Sequence, residues 1–110
     1  ADLLAWLAQP MTETEPTKDA LIIRVFFGAK LDKQTMLTQL RLQRALHQQQ
    51  LDLFHTQISA DIREGAAQNP ELKRDAFFWE VARRNGELLE EAYIRWLDES
   101  IRRIEDELDE

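Results

Sequence analysis

Apolar positions recur at steps of three and four through most of the chain, and the places where they stop mark the elements. Leu3, Trp6 and Leu7 share one face at helical spacing, so residues 1–8 read as the last turns of a helix stopped by Pro10. Residues 9–17 are rich in Pro, Thr and Glu and read as a linker, with Pro10 and Pro16 disfavouring helix just before them. From Asp19 to Gly28, Ala20-Leu21-Ile22-Ile23 and Val25-Phe26-Phe27 suit a strand or a buried helix by periodicity alone. Helix is the better reading, because nothing nearby supplies a partner strand and Gly28 can serve as the C-cap.

Asp32 reads as the N-cap of a long helix that runs to about Arg63 and is ended by Gly65. Leu37, Leu40, Leu51, Phe54, Ile58 and Ile62 recur along it, with Arg44 and His47 filling the same register; alternating steps of three and four make a heptad seam. Leu42, Leu46 and Leu53 form a second stripe on another face. Asn69-Pro70-Glu71 then opens the final helix with an N-cap, a proline at the first position and a carboxylate in the first turn. That helix carries Ile94, Leu97, Ile101, Ile104 and Leu108, with Phe78, Val81, Leu88 and Ala92 further back. Asn85-Gly86 disagrees locally, being a turn dipeptide, and glycine inside a helix costs about 1 kcal/mol relative to alanine. The pattern resumes in phase beyond it, which favours a continuous helix. A break into two helices and a close approach of another backbone at Gly86 are the alternatives.

The predicted fold is all-α: a short helix plus two long amphipathic antiparallel helices forming an intertwined or bundled dimer. Each long helix would span roughly 50 Å at 1.5 Å per residue, whereas a compact domain of this size is roughly 35 Å across. Such helices protrude beyond a monomeric core, and two apolar stripes need two sets of partners, one within the chain and one outside it. The expected dimer interface is Leu37, Leu40, Leu51, Phe54 and Ile58 with Tyr93, Ile94, Trp96, Leu97, Ile101 and Ile104. Which stripe faces the partner is not legible in one sequence, and an elongated monomeric hairpin is the competing reading.

Composition narrows the function. The chain has 110 residues, 44% apolar and 32% charged, with 3 Gly and 3 Pro, which suits one helical domain. No apolar run approaches the roughly 20 residues of a membrane span and no signal-peptide pattern is present, so no membrane partner and a cytoplasmic location are expected. The absence of Cys removes disulfides, thiolate nucleophiles and Cys-based metal sites. Against 14 Lys and Arg stand 21 Asp and Glu, a net charge of −7 that argues against nucleic-acid binding by this chain itself. The start, Ala-Asp-Leu-Leu-Ala-Trp without Met, reads as if cut from something longer.

Chemistry-bearing constellations are sparse. His47 and His55 lie eight residues apart with Asp52 between them, and neither belongs to a close histidine–carboxylate motif, so no metal is expected. Ser59 and Ser100 lack nucleophile-elbow glycines, and Gly28, Gly65 and Gly86 are too scattered for a phosphate loop, so neither enzyme activity nor a cofactor is expected. Glu80–Arg84, Glu91–Arg95, Asp98–Arg102 and Glu99–Arg103 have the spacing of solvated i,i+4 pairs. Phe77, Phe78 and Trp79 point in three directions around a helix. Phe78, Trp79 and Trp96 are therefore the candidate walls of a pocket for a small planar aromatic ligand at a subunit interface. The competing reading packs these rings against Phe26, Phe27 and the partner chain.

With these residues in place, the sequence resembles the C-terminal domain of PadR-like transcriptional regulators, in the branch related to virulence activators. Leu3-Leu4-Ala5-Trp6-Leu7 and the linker resemble the segment leaving a winged helix-turn-helix domain. Asp19-Ala20-Leu21 to Val25-Phe26-Phe27-Gly28 is similar to the family's short helix, and Leu31-Asp32 to Gln43-Arg44 to its long one. Arg84-Asn85-Gly86, Glu91-Ala92 and Trp96-Leu97-Asp98 resemble the closing helix. The resemblance implies a homodimer, formed through residues 18–110, whose missing N-terminal winged helices would contact palindromic operators. It also implies effector sensing as a second role, since some relatives hold phenolic or drug-like aromatics between subunits, although no family ligand residue maps onto a position here. A helical adaptor unrelated to transcription is the third reading.

Overall fold

The computed structural model describes residues 2–15 and 19–109. Pro16, Thr17 and Lys18, where the expected linker ends and the expected helical domain begins, lie outside the described residues. The elements are α1 (Asp2–Ala8), α2 (Ala20–Phe26), α3 (Lys33–Leu53), α4 (Ser59–Gln68) and α5 (Lys73–Glu107). There is no strand among the described residues. A π turn at Phe54–Ile58 joins α3 to α4 without a break, and 3-10 turns at Gly28–Lys30 and Pro70–Leu72 precede α3 and α5. The fold class is all-α, as the periodicity predicts.

Asp32 caps α3 as its position suggests, its Oδ1 accepting from the Thr35 amide at 2.7 Å. Asp19 does the same for α2, accepting from the amides of Leu21 (2.9 Å) and Ile22 (3.3 Å). Other punctuation is read differently by the structure. Gly28 is not a left-handed C-cap, since no glycine has positive φ. Its missing side chain makes room for Met36, whose Cε would stand 2.8 Å from a Cβ there. Gly65 does not end the second helix, which continues to Gln68; it lies in van der Waals range of Trp79 instead. Asn69 makes no side-chain cap hydrogen bond, and Pro70 opens a 3-10 turn from which α5 grows. α5 runs unbroken through Asn85-Gly86 for 35 residues.

α3 and α5 lie antiparallel. Lys33, in the first turn of α3, donates to the carbonyls of Glu105 (3.1 Å) and Leu108 (2.8 Å), satisfying acceptors that the end of α5 leaves free. Arg44 faces Asp98, His47 faces Glu90 and Tyr93, and Phe54 faces Gly86, so one register holds along the pair. Leu21, Met36, Leu40 and Leu97 form the core cluster, where α2 lies over the hairpin, with Val25, Tyr93, Trp96, Ile101 and Ile104 packed around it. Leu37, Leu51, Ala76 and Ile94 are buried further along. The molecule measures 59 × 33 × 15 Å with a radius of gyration of 19.2 Å. A compact chain of this length would have a radius near about 13 Å. The hairpin is thin, and much of its apolar surface stays outside.

Candidate functional site

The predicted interface residues divide in two. Leu37, Leu40, Leu51, Ile94 and Leu97 are buried within one chain, and Tyr93, Trp96, Ile101 and Ile104 flank the same core. Phe54 and Ile58 are half-buried in the π turn. That seam closes the hairpin, and Leu37, Leu40 and Leu97, the most buried of it, present almost no surface to a second molecule. The stripe Leu42, Leu46 and Leu53 lies outside instead, each residue more than two-fifths exposed.

A longer apolar face runs along the side of α5 turned away from α3. Phe78 (54% exposed), Val81 (54%), Leu88 (47%) and Leu89 (62%) lie on it, with Ala92 also exposed. A helix repeats its faces every three or four residues, so Ala76, Ile94 and Leu97 occupy one side and this stripe the other. α5 is apolar on both sides, and among the described residues the second side is left exposed at Phe78, Val81 and Leu88. Where the stripe meets α2 it opens into a cleft of about 650 Å³ lined by Ile22, Ile23, Leu89, Ala92, Tyr93 and Trp96, with Asp19 at its edge.

The candidate pocket residues do not meet. Trp96 lines the cleft beside α2, whereas Phe78 packs edge-to-face with Phe77 beside Pro70, and Trp79 lies near Gly65. Phe78 and Trp96 are separated by 18 positions of one helix, roughly 27 Å at 1.5 Å per residue. Within one chain, therefore, Phe78, Trp79 and Trp96 do not wall a single pocket. Phe26 and Phe27 pack edge-to-face with each other and remain exposed, rather than covering the Phe77–Trp79 group.

The polar groups form two clusters that span the hairpin. In the first, Tyr93 donates to Asp19 Oδ2 (2.5 Å), and its ring stacks on His47 with centroids 4.1 Å apart. His47 Nδ1 lies 2.5 Å from Glu90 Oε2. Burial raises the Asp19 pKa, but the hydrogen bonds from Tyr93 and from the Ile22 and Leu21 amides outweigh it and hold the carboxyl below its usual range. Burial, and then the bond to Asp19, push the Tyr93 phenol above its usual range. This cluster ties the start of α2 to α5.

The second cluster centres on Glu87, the buried charge of the described residues. Arg83 Nη1 donates to Glu87 Oε2 (2.9 Å) and to the Phe54 carbonyl (2.9 Å), while its Nε and Nη2 hold Glu80. Arg84 donates to the other Glu87 oxygen, and His55 Nε2 lies 3.0 Å from Oε2. The Arg83 hydrogen bond, more than the opposing desolvation, keeps Glu87 below the usual carboxylate range. His55, Glu87 and Glu91 place ligand atoms within 4.8 Å of one another, the set among the described residues that could hold a cation. Both Glu87 oxygens are already engaged by arginines, so a metal there would have to displace a guanidinium.

None of the four expected i,i+4 pairs forms. Arg84 turns to Glu87, and Asp98 crosses to α3, where Arg44 donates to it from Nε (2.9 Å) and Nη2 (3.4 Å). Arg83–Glu87 and Arg84–Glu87 have helical spacings of four and three, as ordinary as the expected ones, whereas the Arg44–Asp98 pair crosses the hairpin and is not readable along one helix.

No helix of the described residues is long and apolar enough to cross a membrane. These features define a class: an elongated helical hairpin, acidic overall, with an exposed apolar flank. The chain matches the family described as virulence activator alpha C-terminal over residues 17–105 and belongs to it. It is thus a domain of a transcription-regulator-associated family. No curated protein and no solved structure matches the chain.

Proposed function

We propose that this chain is the dimerisation domain of a PadR-like DNA-binding regulator, acting by association rather than catalysis. The observation that carries the reading is the exposed apolar flank of α5, which includes Phe78, Val81, Leu88 and Leu89. Exposed apolar patches of this extent on soluble domains mark association surfaces. The net charge of −7 leaves contact with DNA to another domain of the parent protein. Pairing two chains would then fix the distance and angle between two DNA-reading heads, and with them the half-site spacing that is bound.

Light scattering over a dilution series tests this. A dimer has twice the 13.0 kDa chain mass, and Leu88→Asp converts it to monomers that retain the helical content of the parent. A parent chain that is monomeric at every concentration overturns the reading.

The cleft between α2 and α5 favours a second role, sensing of a small aromatic molecule, because Trp96 and the aliphatic walls of Ile22 and Ile23 enclose a volume of ligand size. Quenching of tryptophan fluorescence by planar aromatics at micromolar concentration, lost in Ile23→Asp, supports it. Flat titrations across a phenolic and drug-like panel overturn it.

A further inference from the structure

The π turn at Phe54–Ile58 does more than join α3 to α4. Such turns are rare, and those that occur fall frequently at functional sites. Here the turn holds His55 against the middle of α5, where Glu87 and Glu91 stand four residues apart and so share a face. His55 Nε2 lies 3.0 Å from Glu87 Oε2 and 3.8 Å from Glu91 Oε1, and one ligand atom of each residue lies within 4.8 Å of the others. Ligand atoms bound to one Zn²⁺ at about 2.0–2.1 Å, with tetrahedral angles, stand roughly 3.3 Å apart. The three groups are close to that triangle already.

The triangle has one fixed corner and two open ones. The Glu87 side chain is more than nine-tenths buried, and Arg83 and Arg84 hold it in place. The side chains of His55 and Glu91 are each more than two-fifths exposed, which leaves a way in for an ion and a fourth position for water. The arginines do not close the site. A cation on Glu87 Oε2 displaces Arg83 Nη1 from that oxygen, one of the four hydrogen bonds this guanidinium makes. Nη1 keeps the Phe54 carbonyl, Nε and Nη2 keep Glu80, and Arg84 stays on the other Glu87 oxygen. Charge favours the ion as well, since Glu80, Glu87 and Glu91 outnumber Arg83 and Arg84 in the cluster.

We propose that His55, Glu87 and Glu91 bind one Zn²⁺ ion, which clips the π turn to the middle of α5. An imidazole nitrogen with two carboxylate oxygens suits zinc, whereas Mg²⁺ and Ca²⁺ prefer all-oxygen sites with more ligands. The set is invisible along any one helix, because His55 belongs to the π turn and both glutamates to α5. His47 also faces a glutamate, Glu90, but its ring is stacked on Tyr93 and it gathers no third ligand among the described residues. All three zinc ligands come from one chain, so the site does not depend on the dimerisation reading. Its effect is to make the rigidity of the joint between α3 and α4 respond to zinc.

Isothermal titration calorimetry with zinc chloride tests this, on chain freed of metal with EDTA and dialysed. One ion per chain at micromolar affinity is expected, together with a melting temperature that rises as zinc is added. His55→Ala abolishes both responses. Glu91→Gln weakens binding by at least about tenfold, since even losing a group that merely supports a metal ligand does so. Both side chains are substantially exposed, so the two variants keep the parent's helical content, which circular dichroism checks. His47→Ala keeps the zinc response, and neither Mg²⁺ nor Ca²⁺ reproduces it. No saturable heat with zinc, or binding that survives His55→Ala, overturns the proposal. Equal losses in His47→Ala and His55→Ala place the ion elsewhere and overturn it too.

Discussion

Gly86 sits in the middle of α5, where an alanine would ordinarily add about 1 kcal/mol of helix stability. The structure reverses that expectation. A Cβ at Gly86 would stand 2.4 Å from Cζ and 2.6 Å from Cε1 of Phe54. Carbon atoms in contact prefer about 3.5–4.0 Å, so the ring has to retreat by roughly 1 Å or rotate. It has limited freedom to do so, because Phe54 is half-buried in the π turn and its carbonyl is held by Arg83. Overpacking of this kind costs about 1–3 kcal/mol. Set against the helix gain, Gly86→Ala should destabilise by about 1 kcal/mol. In a Phe54→Ala background the obstacle is gone, and the same substitution should stabilise by about 1 kcal/mol. The sign change means a coupling of about 2 kcal/mol between positions 54 and 86, well outside the error of additivity for independent sites. Urea unfolding of the four proteins measures it, each made in the Leu88→Asp background so that association does not contribute. A Gly86→Ala chain more stable than the parent with Phe54 in place would refute the reasoning.

Three further substitutions or conditions test the packing and the polar clusters. Leu97 is fully buried between the helices, so Leu97→Asp should cost several kcal/mol and abolish cooperative thermal unfolding by circular dichroism. Asp19 and Asp32 both have lowered pKa values: Asp19 because its hydrogen bonds outweigh burial, Asp32 chiefly through the Thr35 amide. A carboxyl that binds its proton less readily when folded adds stability that is present above its unfolded value and lost as pH falls through the folded one. The urea midpoint should therefore drop as pH falls below about 4, and drop less in an Asp19→Asn/Asp32→Asn chain. Arg83→Lys removes the fork that joins Glu80, Glu87 and the Phe54 carbonyl, and should lower the melting temperature more than Arg103→Lys, whose pair with Glu107 is exposed. Equal effects would show that the Glu87 cluster adds nothing beyond a surface ion pair.

What the sequence discloses here is what depends on neighbours along the chain. Asp32 is readable as a cap because its partner, the Thr35 amide, lies three residues away, and the hairpin is readable because its apolar steps match a helix period. Gly28, Gly65 and Gly86 are not readable in the same way. Each is helical or near-helical with negative φ, and at two of them the missing side chain serves a residue from elsewhere: Met36 for Gly28, Phe54 for Gly86. The charges misled for a related reason. Glu80 and Arg84 have ideal spacing, yet Arg83 holds Glu80 while Arg84 turns to Glu87, and Asp98 is taken by Arg44 from across the hairpin. At Asp98 a weak pair along one helix yields to a two-pronged contact between helices, which only the tertiary register reveals; at Glu80 and Arg84 it yields to other pairs of the same helix, three residues apart. The seam around Leu37, Leu40 and Leu97 was visible as a seam; that it closes within the chain is a fact of packing.

The two faces of α5 divide the work between them, which has a consequence for how the domain can vary. Ile94 and Leu97 hold the hairpin together, while Val81, Leu88 and Ala92 are exposed within a single chain and contribute little to its core. A polar change on the first face unfolds the chain and, with it, any surface the chain presents. On the dimerisation proposed for this domain, a polar change on the second leaves the fold and removes the association alone. Gly86 lies near the border of the two faces, with Phe54 pressed against it from the core side and Asn85 and Leu88 turned outward beside it. Repacking Phe54 against an alanine would shift the middle of α5 and with it the exposed flank that carries the proposed association. Gly86→Ala should therefore weaken association by more than its effect on chain stability accounts for. A dissociation constant unchanged in a Gly86→Ala chain that is otherwise folded would place the association surface away from the middle of α5.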